Sequence, residues 1–156
     1  MTHGEAILFY DGVCGLCQRA VRFVLRHDRR ESIRLAPLQS DLARSTTGGF
    51  GIDLPGGASE DDSTGAPAWE TIYLWLREPD GRERLLDRSD AVIAILIRIG
   101  GAWSLLGRLI GLAPRALRDA IYRRIAANRY RWFGRHEQCP LPPPGLERRF
   151  AARTRR

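Results

Sequence analysis

The sequence predicts an α/β fold in which a β-α-β unit is followed by a β-β-α unit and then by further helices. Two observations predict it. Short apolar runs that end at turn residues alternate with segments of helical period over residues 1–101. The remaining residues, 102–156, have mainly helical periodicity up to a proline-rich stretch. A chain of 156 residues is long enough for one domain with a substantial core.

The β-α-β unit covers the first part of the chain. AILFYDG at 6–12 is a short apolar run that ends in Asp-Gly, which is typical of a buried strand leading into a turn. From Cys14 onward apolar residues recur at helical spacing, and SIRLAPLQ at 32–39 returns to a strand pattern. A strand, a helix and a strand in so short a segment predict two parallel strands joined by a right-handed crossover.

A loop separates this unit from the next. Residues 41–47 can form a short helix, but residues 48–68 are rich in Gly, Pro, Ser and acidic residues. Such a composition predicts a mobile surface loop.

The β-β-α unit follows the loop. ETIYLWL at 70–76 and RERLLDRS at 82–89 read as strands, and the Pro-Asp-Gly turn signal between them predicts a β-hairpin. SDAVIAILIRIGG at 89–101 reads as a helix with Ser89 as its N-cap and a Gly pair at its end.

The C-terminal part predicts a helical extension packed on the core. Residues 103–112 form one helical segment, and residues 114–134 form another with Pro114 in its first turn. CPLPPPG at 139–145 cannot be helical. The order β-α-β, then β-β-α, is that of a thioredoxin-like fold, so we assign residues 1–101 to a thioredoxin-like core and 102–156 to the extension of a single domain.

The charge distribution bears on partners. The net charge is +7, all 25 basic residues are arginine, and the basic excess lies in residues 91–156. The simplest interpretation of such a region is a solvated basic face, although it also suits an anionic membrane surface or an acidic partner. No nucleic-acid-binding motif is present, so we expect no nucleic acid. The apolar stretch 91–113 is interrupted by Arg98 and Arg108, which predicts no transmembrane span but leaves peripheral membrane contact open. No signal peptide is visible, and we expect a cytoplasmic protein.

Cys14 and Cys17 lie where the first strand gives way to the first helix. A helix N-terminus favours a thiolate, and Cys-x-x-Cys pairs there have thiol pKa values lowered from about 8.5 to between about 3.5 and 7.5. Cys14 is therefore expected to be an exposed nucleophile and Cys17, one turn further on, the resolving thiol. Gly15 would leave backbone open to an incoming peptide. The redox-active disulfide between the two cysteines would need no other cofactor.

Asp11 and Gly12 are the supporting residues beside the pair. Asp11 could accept the proton of the resolving thiol, cap the helix amides, or form a turn with Gly12. A carboxylate close to Cys14 would raise the pKa of that thiol.

Three other interpretations stay open. A Cys3His zinc site could form from Cys14, Cys17, His136 and Cys139 and stabilise an interaction module. The pair could be two inert buried thiols. The basic helices could also belong to a membrane-surface or partner-binding protein without turnover. Aromatic residues such as Tyr130 and Trp132 are expected to serve helix packing.

The motif LFYDGVCGLC, with Asp11, Cys14 and Cys17, resembles the Asp-x-x-Cys-x-x-Cys signature of the DCC family of predicted thiol-disulfide oxidoreductases. The similarity continues through RLAPLQS, SDAVIAIL, PRALRDAIYRRIAANRYRWFG and CPLPPP. The resemblance implies a thioredoxin-like core and protein-disulfide reductase-type activity with Cys14 and Cys17 as the redox pair. An enzyme of this kind would act on protein or small-molecule disulfides or thiols, and the electron donor of this chain is unidentified.

Two features depart from thioredoxins proper. The nearest candidate for their cis-proline before a core strand is Pro67, and Val13 occupies the position of the tryptophan that precedes their cysteine pair.

Overall fold

Alternating strand and helix patterns produce a four-stranded mixed sheet with helices on both faces. The computed structural model describes residues 4–52, 54, 71–136 and 144–151. The strands are β1 (Glu5–Tyr10), β2 (Arg34–Pro37), β3 (Tyr73–Arg77) and β4 (Glu83–Asp87). The helices are α1 (Gly15–His27), α2 (Asp41–Gly48), α3 (Arg88–Ile99), α4 (Gly101–Gly111) and α5 (Arg115–Phe133), with a short 3₁₀ turn at Glu147–Arg149.

The strand order in the sheet is β2-β1-β3-β4. β1 pairs in parallel with β2, with Ile7 opposite Arg34, and antiparallel with β3, with Leu8 opposite Leu74. β3 and β4 form the antiparallel hairpin. The predicted fold class is confirmed: the sheet and helices are consistent with a thioredoxin-like fold. β1 is central and buried from Ala6 to Tyr10, which explains why its sequence is a continuous apolar run rather than an alternating one.

Each face of the sheet has its own core. One core packs Leu8 and Tyr10 of β1 against Val24 of α1 and Ile95 of α3. The other packs Phe9 of β1 with residues from β2, β3 and α2. Because successive side chains of a strand point to opposite faces, β1 supplies both cores at once.

Several predicted boundaries shift. β3 begins at Tyr73 rather than at residue 70. α3 begins at Arg88 with Asp87 as its N-cap, so the prediction of Ser89 as N-cap was wrong. The Ser89 hydroxyl instead donates a hydrogen bond to Asp119 of α5. Pro114 is the N-cap of α5 rather than a first-turn residue.

The loop predicted at 48–68 falls largely outside the described residues, which omit residue 53 and residues 55–70. The candidate cis-proline, Pro67, lies outside them as well. α2 extends into the start of the predicted loop, ending at Gly48.

The C-terminal helices lie on the face of α1 and α3. α4 approaches α3 closely at Gly107, where an added Cβ would lie 3.1 Å from the Cβ of Leu96. Within the described ranges no helix is both long and apolar enough to cross a membrane.

The C-terminal segment returns to the edge strand β2. The Ala151 amide donates to the Leu35 carbonyl oxygen at 2.8 Å. Next to this contact, Arg149 and Asp28 form a buried ion pair with 2.8 Å between Nη2 and Oδ2. Asp28 also accepts a hydrogen bond from the Ile33 amide at 2.9 Å, so the pair joins the end of α1, the start of β2 and the C-terminus.

We expect Arg149→Ala to lower the free energy of unfolding by about 3–5 kcal/mol, because the buried Asp28 carboxylate loses its counter-ion. Urea unfolding followed by circular dichroism measures this. Arg148→Ala is the matched control, since Arg148 pairs with Glu31 at the surface and should matter much less. Equal losses in both variants would contradict the structural role of the buried pair.

Candidate active site

The two cysteines of the Cys-x-x-Cys motif meet at the start of α1. Cys14 is the N-cap residue, with extended backbone angles of φ −82° and ψ 122°. Its Sγ accepts a hydrogen bond from the Cys17 amide at 3.4 Å. Both cysteines are free thiols and both are buried. The predicted placement between a buried strand and a helix N-terminus is therefore confirmed.

The environment of Cys14 favours its thiolate. A hydrogen bond from the Cys17 thiol is the largest of the effects that lower the pKa of Cys14 to about 6. The Cys17 amide and the positive charge of Arg129 lower it further, while burial and the negative charge of Asp11 oppose them. Because this pKa lies below 7, Cys14 is mainly a thiolate at pH 7.

Cys17 has the opposite preference. Its hydrogen bond to Cys14 raises the pKa of the Cys17 thiol, and burial and the neighbouring Cys14 charge raise it further. The two cysteines are thus chemically unequal, with a thiolate at the helix start and a protonated thiol one turn later. Only a thiolate attacks a disulfide, so this inequality assigns different reactivity to the two sulfurs.

Asp11, three residues before Cys14, is buried, with 1% of its surface exposed. Its Oδ1 accepts hydrogen bonds from the Val13 amide and from Gln39 Nε2, both at 3.1 Å. Its Oδ2 accepts a hydrogen bond from the Tyr130 hydroxyl and lies 3.6 Å from Arg129 Nη2. The carboxylate thereby joins the β1–α1 loop to α5 and to the segment after β2.

This geometry decides between some of the roles expected for Asp11. Its side chain accepts a hydrogen bond from the Val13 amide across Gly12, so the predicted Asp-Gly turn is present, and its charge opposes the lowering of the Cys14 pKa. It does not cap α1, because Cys14 is the N-cap and its own Sγ takes the capping hydrogen bond. Proton transfer from the resolving thiol stays a prediction.

Gly12 is held by two glutamines that sequence reasoning missed. Its amide donates to Gln39 Oε1 at 3.3 Å, and its carbonyl oxygen accepts from Gln18 Nε2 at 2.8 Å. Gln18 is buried on α1, although it is polar. Gln18 directly follows Cys17 and lies three residues before the apolar Val21, so helical spacing is the signal that could have identified it.

A backbone segment covers Cys14. Arg135 forms an antiparallel bridge with Cys14, the Gly15 amide donates to the Gly134 carbonyl oxygen at 3.1 Å, and the His136 amide donates to the Val13 carbonyl oxygen at 2.7 Å. Cys14 consequently has 0% of its surface exposed. The expectation of an exposed Cys14 was wrong, because burial depends on a segment more than a hundred residues away in the chain.

Gly15 provides the space for this segment. A Cβ at residue 15 would lie 2.1 Å from the Phe133 carbonyl oxygen, where no side chain fits. Gly15 was expected to leave backbone open for an incoming peptide, but the end of α5 occupies that space in this structure.

α5 supplies two further residues of the site. Arg129 is buried, and its guanidinium lies 4.7 Å from the centre of the Tyr130 ring. Burial, and secondarily the hydrogen bond to Asp11, raise the pKa of Tyr130 to about 12, so its hydroxyl remains a donor to that carboxylate. Tyr130 was expected to serve packing alone. Trp132, expected to pack, is 54% exposed.

The proposed zinc ligands are brought together in part. The backbone of His136 lies against the β1–α1 loop, but Cys139 lies outside the described residues. In the part of the chain that the structure describes, no three His, Cys, Asp or Glu side chains are grouped so that they could hold a metal ion.

Comparison with known proteins identifies the family. The family model for the DCC1-like thiol-disulfide oxidoreductase matches residues 8–135, from β1 to the segment over Cys14. The chain belongs to the DCC1-like thiol-disulfide oxidoreductase family. The family expected from the Asp-x-x-Cys-x-x-Cys motif is thus confirmed.

Two relatives of this DCC1-like chain illustrate the match. The uncharacterized protein YuxK of Bacillus subtilis is 32% identical over 144 residues, which cover 92% of this chain and 92% of that protein. A chloroplastic DCC family protein of Arabidopsis thaliana is 33% identical over 135 residues, covering 86% of this chain and 69% of the relative. No solved structure matches the chain.

We expect the Cys14 thiol of this DCC1-like protein to titrate with a midpoint near pH 6. The ultraviolet absorbance of the thiolate, measured against pH as the difference between wild type and Cys14→Ser, reports it. Cys17→Ala removes the principal hydrogen-bond donor and should move the midpoint upward. A Cys14 midpoint near about 8.5, the unperturbed value, would contradict the geometry of the pair.

We expect Gly15→Ala to destabilise the protein by about 1–3 kcal/mol, because the new methyl group collides with the Phe133 carbonyl. Gly111→Ala is the control, since a Cβ at that helical residue meets nothing within 4 Å. The control should be neutral or more stable by up to about 1 kcal/mol, owing to the better helix propensity of alanine. Thermal unfolding of both variants compares them, and a stable Gly15→Ala would contradict the close approach of α5.

Proposed function

We propose that the protein is a thiol-disulfide oxidoreductase of the protein-disulfide reductase type. Cys14 is the nucleophile and Cys17 the resolving thiol. The observation that carries the proposal is the inequality of the two sulfurs: Cys17 donates to Cys14 and keeps its own proton, so a thiolate and a thiol stand one helical turn apart. Family membership supports the same reaction class.

The reaction follows from this inequality. The Cys14 thiolate attacks one sulfur of a substrate disulfide, a mixed disulfide forms, and the other substrate sulfur leaves as a thiolate that takes up a proton. Cys17 then loses its proton and attacks Cys14 Sγ. The Cys14–Cys17 disulfide forms, and the second substrate thiol is released. The substrate has gained two electrons, and an external dithiol donor returns the pair to the reduced state.

Proton removal from Cys17 is the step in which Asp11 can take part. The raised pKa of Cys17 makes its proton hard to remove while Cys14 is a thiolate. Once Cys14 is bonded to substrate, both its negative charge and its acceptance of the Cys17 hydrogen bond are lost, so the pKa of Cys17 falls. The buried Asp11 carboxylate, held by Tyr130 and Gln39, is the base we assign to this step.

Access to Cys14 is part of the proposal. Cys14 is fully buried, and residues 134–136 run beside its backbone, held by hydrogen bonds from the Gly15 amide to Gly134 and from the His136 amide to Val13. A substrate disulfide reaches the sulfur only when this short bridge separates, which is a local opening of the native structure. Because the bridge follows the last residue of α5, it can separate without disturbing the sheet.

A coupled assay tests the function. Reduction of a protein disulfide such as that of insulin, with a dithiol donor, is expected for wild type and abolished in Cys14→Ser. Cys17→Ser should accumulate mixed disulfides, visible by mass spectrometry, because attack occurs without resolution. Cys139→Ser is the matched cysteine control and should keep its activity.

Metal analysis completes the test. Stoichiometric zinc in protein purified without chelator, lost in both Cys14→Ser and Cys139→Ser, would replace the redox function with a zinc-stabilised module. Wild type that fails to reduce disulfides with any dithiol donor would also overturn the proposal.

A further inference from the structure

α4 and α5, which are joined by the short turn at residues 112–114, both expose large apolar side chains. We name this surface the α4–α5 corner. Its members are more than a third exposed and lie on α4, on the connecting turn and on α5: Leu105, Leu109, Leu112, Leu117, Ile121 and Ile125. Exposed apolar residues scattered singly need no explanation, but six of them on two consecutive helices and the turn between them indicate a surface that contacts something apolar.

The apolar residues of α4 point away from the protein. Gly107 is the buried residue of α4 and faces α3. Leu105 and Leu109 lie two residues to either side of it, which places each about 160° around the helix from Gly107. Leu112, in the turn after α4, is 82% exposed and is the most projecting member of the corner.

The apolar residues of α5 form a second stripe. Leu117, Ile121 and Ile125 follow one another at intervals of four, so they are neighbours on the helix surface. The inward face of α5 contains Tyr122, whose hydroxyl accepts a hydrogen bond from the Ile72 amide, and the buried Arg129. Leu117 lies about 140° around the helix from Tyr122, whereas Ile125, one turn before Arg129, lies at the edge of the inward face. The outward part of the stripe is therefore Leu117 and Ile121.

Arginines border both stripes. Arg108 of α4 and Arg124 and Arg131 of α5 are exposed. The sequence of the two helices contains a single acidic residue, Asp119, which is engaged with Ser89 and Arg115 on the inward side. The corner thus combines projecting leucines and isoleucines with a positive charge that, within the two helices, only Asp119 offsets.

We propose that the α4–α5 corner docks the protein on the surface of an anionic lipid bilayer. The apolar side chains enter the layer at the level of the headgroups, and the arginines contact the anionic headgroups. Helices that lie in a membrane interface have this combination of an apolar face and basic flanks. Each arginine near an anionic surface strengthens binding about fivefold.

The charge of the corner argues against a second copy of the chain as its partner. A two-fold interface places the same patch on both subunits, so arginines would meet arginines. The convex shape of the corner argues against an acidic protein as its partner. The apolar residues lie on outward helix faces and on a projecting turn, so a protein partner would need a complementary groove. A lipid layer deforms around such a projection.

Vesicle co-sedimentation tests the proposal. We expect wild type to bind vesicles of phosphatidylcholine with phosphatidylserine and to bind pure phosphatidylcholine vesicles weakly. Leu109→Ser/Leu112→Ser should reduce binding about tenfold or more, since two inserted apolar side chains are lost. Arg108→Gln/Arg124→Gln should reduce it to a similar extent, and added salt should weaken wild-type binding.

Matched controls lie on the opposite side of the sheet. Phe50→Ser removes another exposed apolar side chain, and Arg44→Gln removes a half-buried arginine of α2 that pairs with Asp41. Both should bind like wild type, and circular dichroism verifies that every variant is folded. Cys14→Ser should also bind normally, which separates this proposal from the redox function.

Three results would overturn the docking surface. One is failure to bind the anionic vesicles. The second is binding that the corner variants reduce no more than the controls do. The third is a dimer in solution, measured by light scattering, that Leu109→Ser/Leu112→Ser dissociates, since the corner would then be an interface between two copies.

Discussion

The buried carboxylate of Asp11 is the constraint on which the arrangement of the site depends. A buried charge is costly unless polar partners compensate it, and here those partners come from separate parts of the chain. Val13 belongs to the cysteine loop, Gln39 follows β2, and Tyr130 and Arg129 belong to α5. Satisfying one carboxylate therefore fixes the loop, the sheet edge and the last long helix relative to one another.

The cysteine pair shows how position alone differentiates two identical side chains. Cys14 receives hydrogen bonds as the N-cap of α1 and lies near the positive charge of Arg129, whereas Cys17 donates a hydrogen bond to Cys14. The Asp11 carboxylate raises the pKa of Cys14, but the hydrogen bonds from Cys17 and the charge of Arg129 lower it by more. A site with this balance holds a reactive sulfur next to a base without losing the reactivity of the sulfur.

The two sides of α5 carry different features, one belonging to the candidate active site and the other to the proposed docking surface. Its inward face carries Tyr130 and Arg129, and its end continues into the backbone that covers Cys14. Another side exposes the stripe that begins at Leu117 and continues through Ile121. The proposed docking surface and the backbone segment beside Cys14 therefore belong to one rigid helix and its direct continuation.

The sequence by itself determined the strand-turn-helix setting of Cys14 and Cys17, the parallel and hairpin pairings, and the family, because these depend on local periodicity, turn residues and a short motif. Only the tertiary structure decided that Cys14 is covered, that Gly15 makes room for α5, and that Tyr130 belongs to the site. Those contacts join residues more than a hundred positions apart, as with Asp11 and Tyr130, and no local pattern encodes which distant side chain will compensate a buried charge.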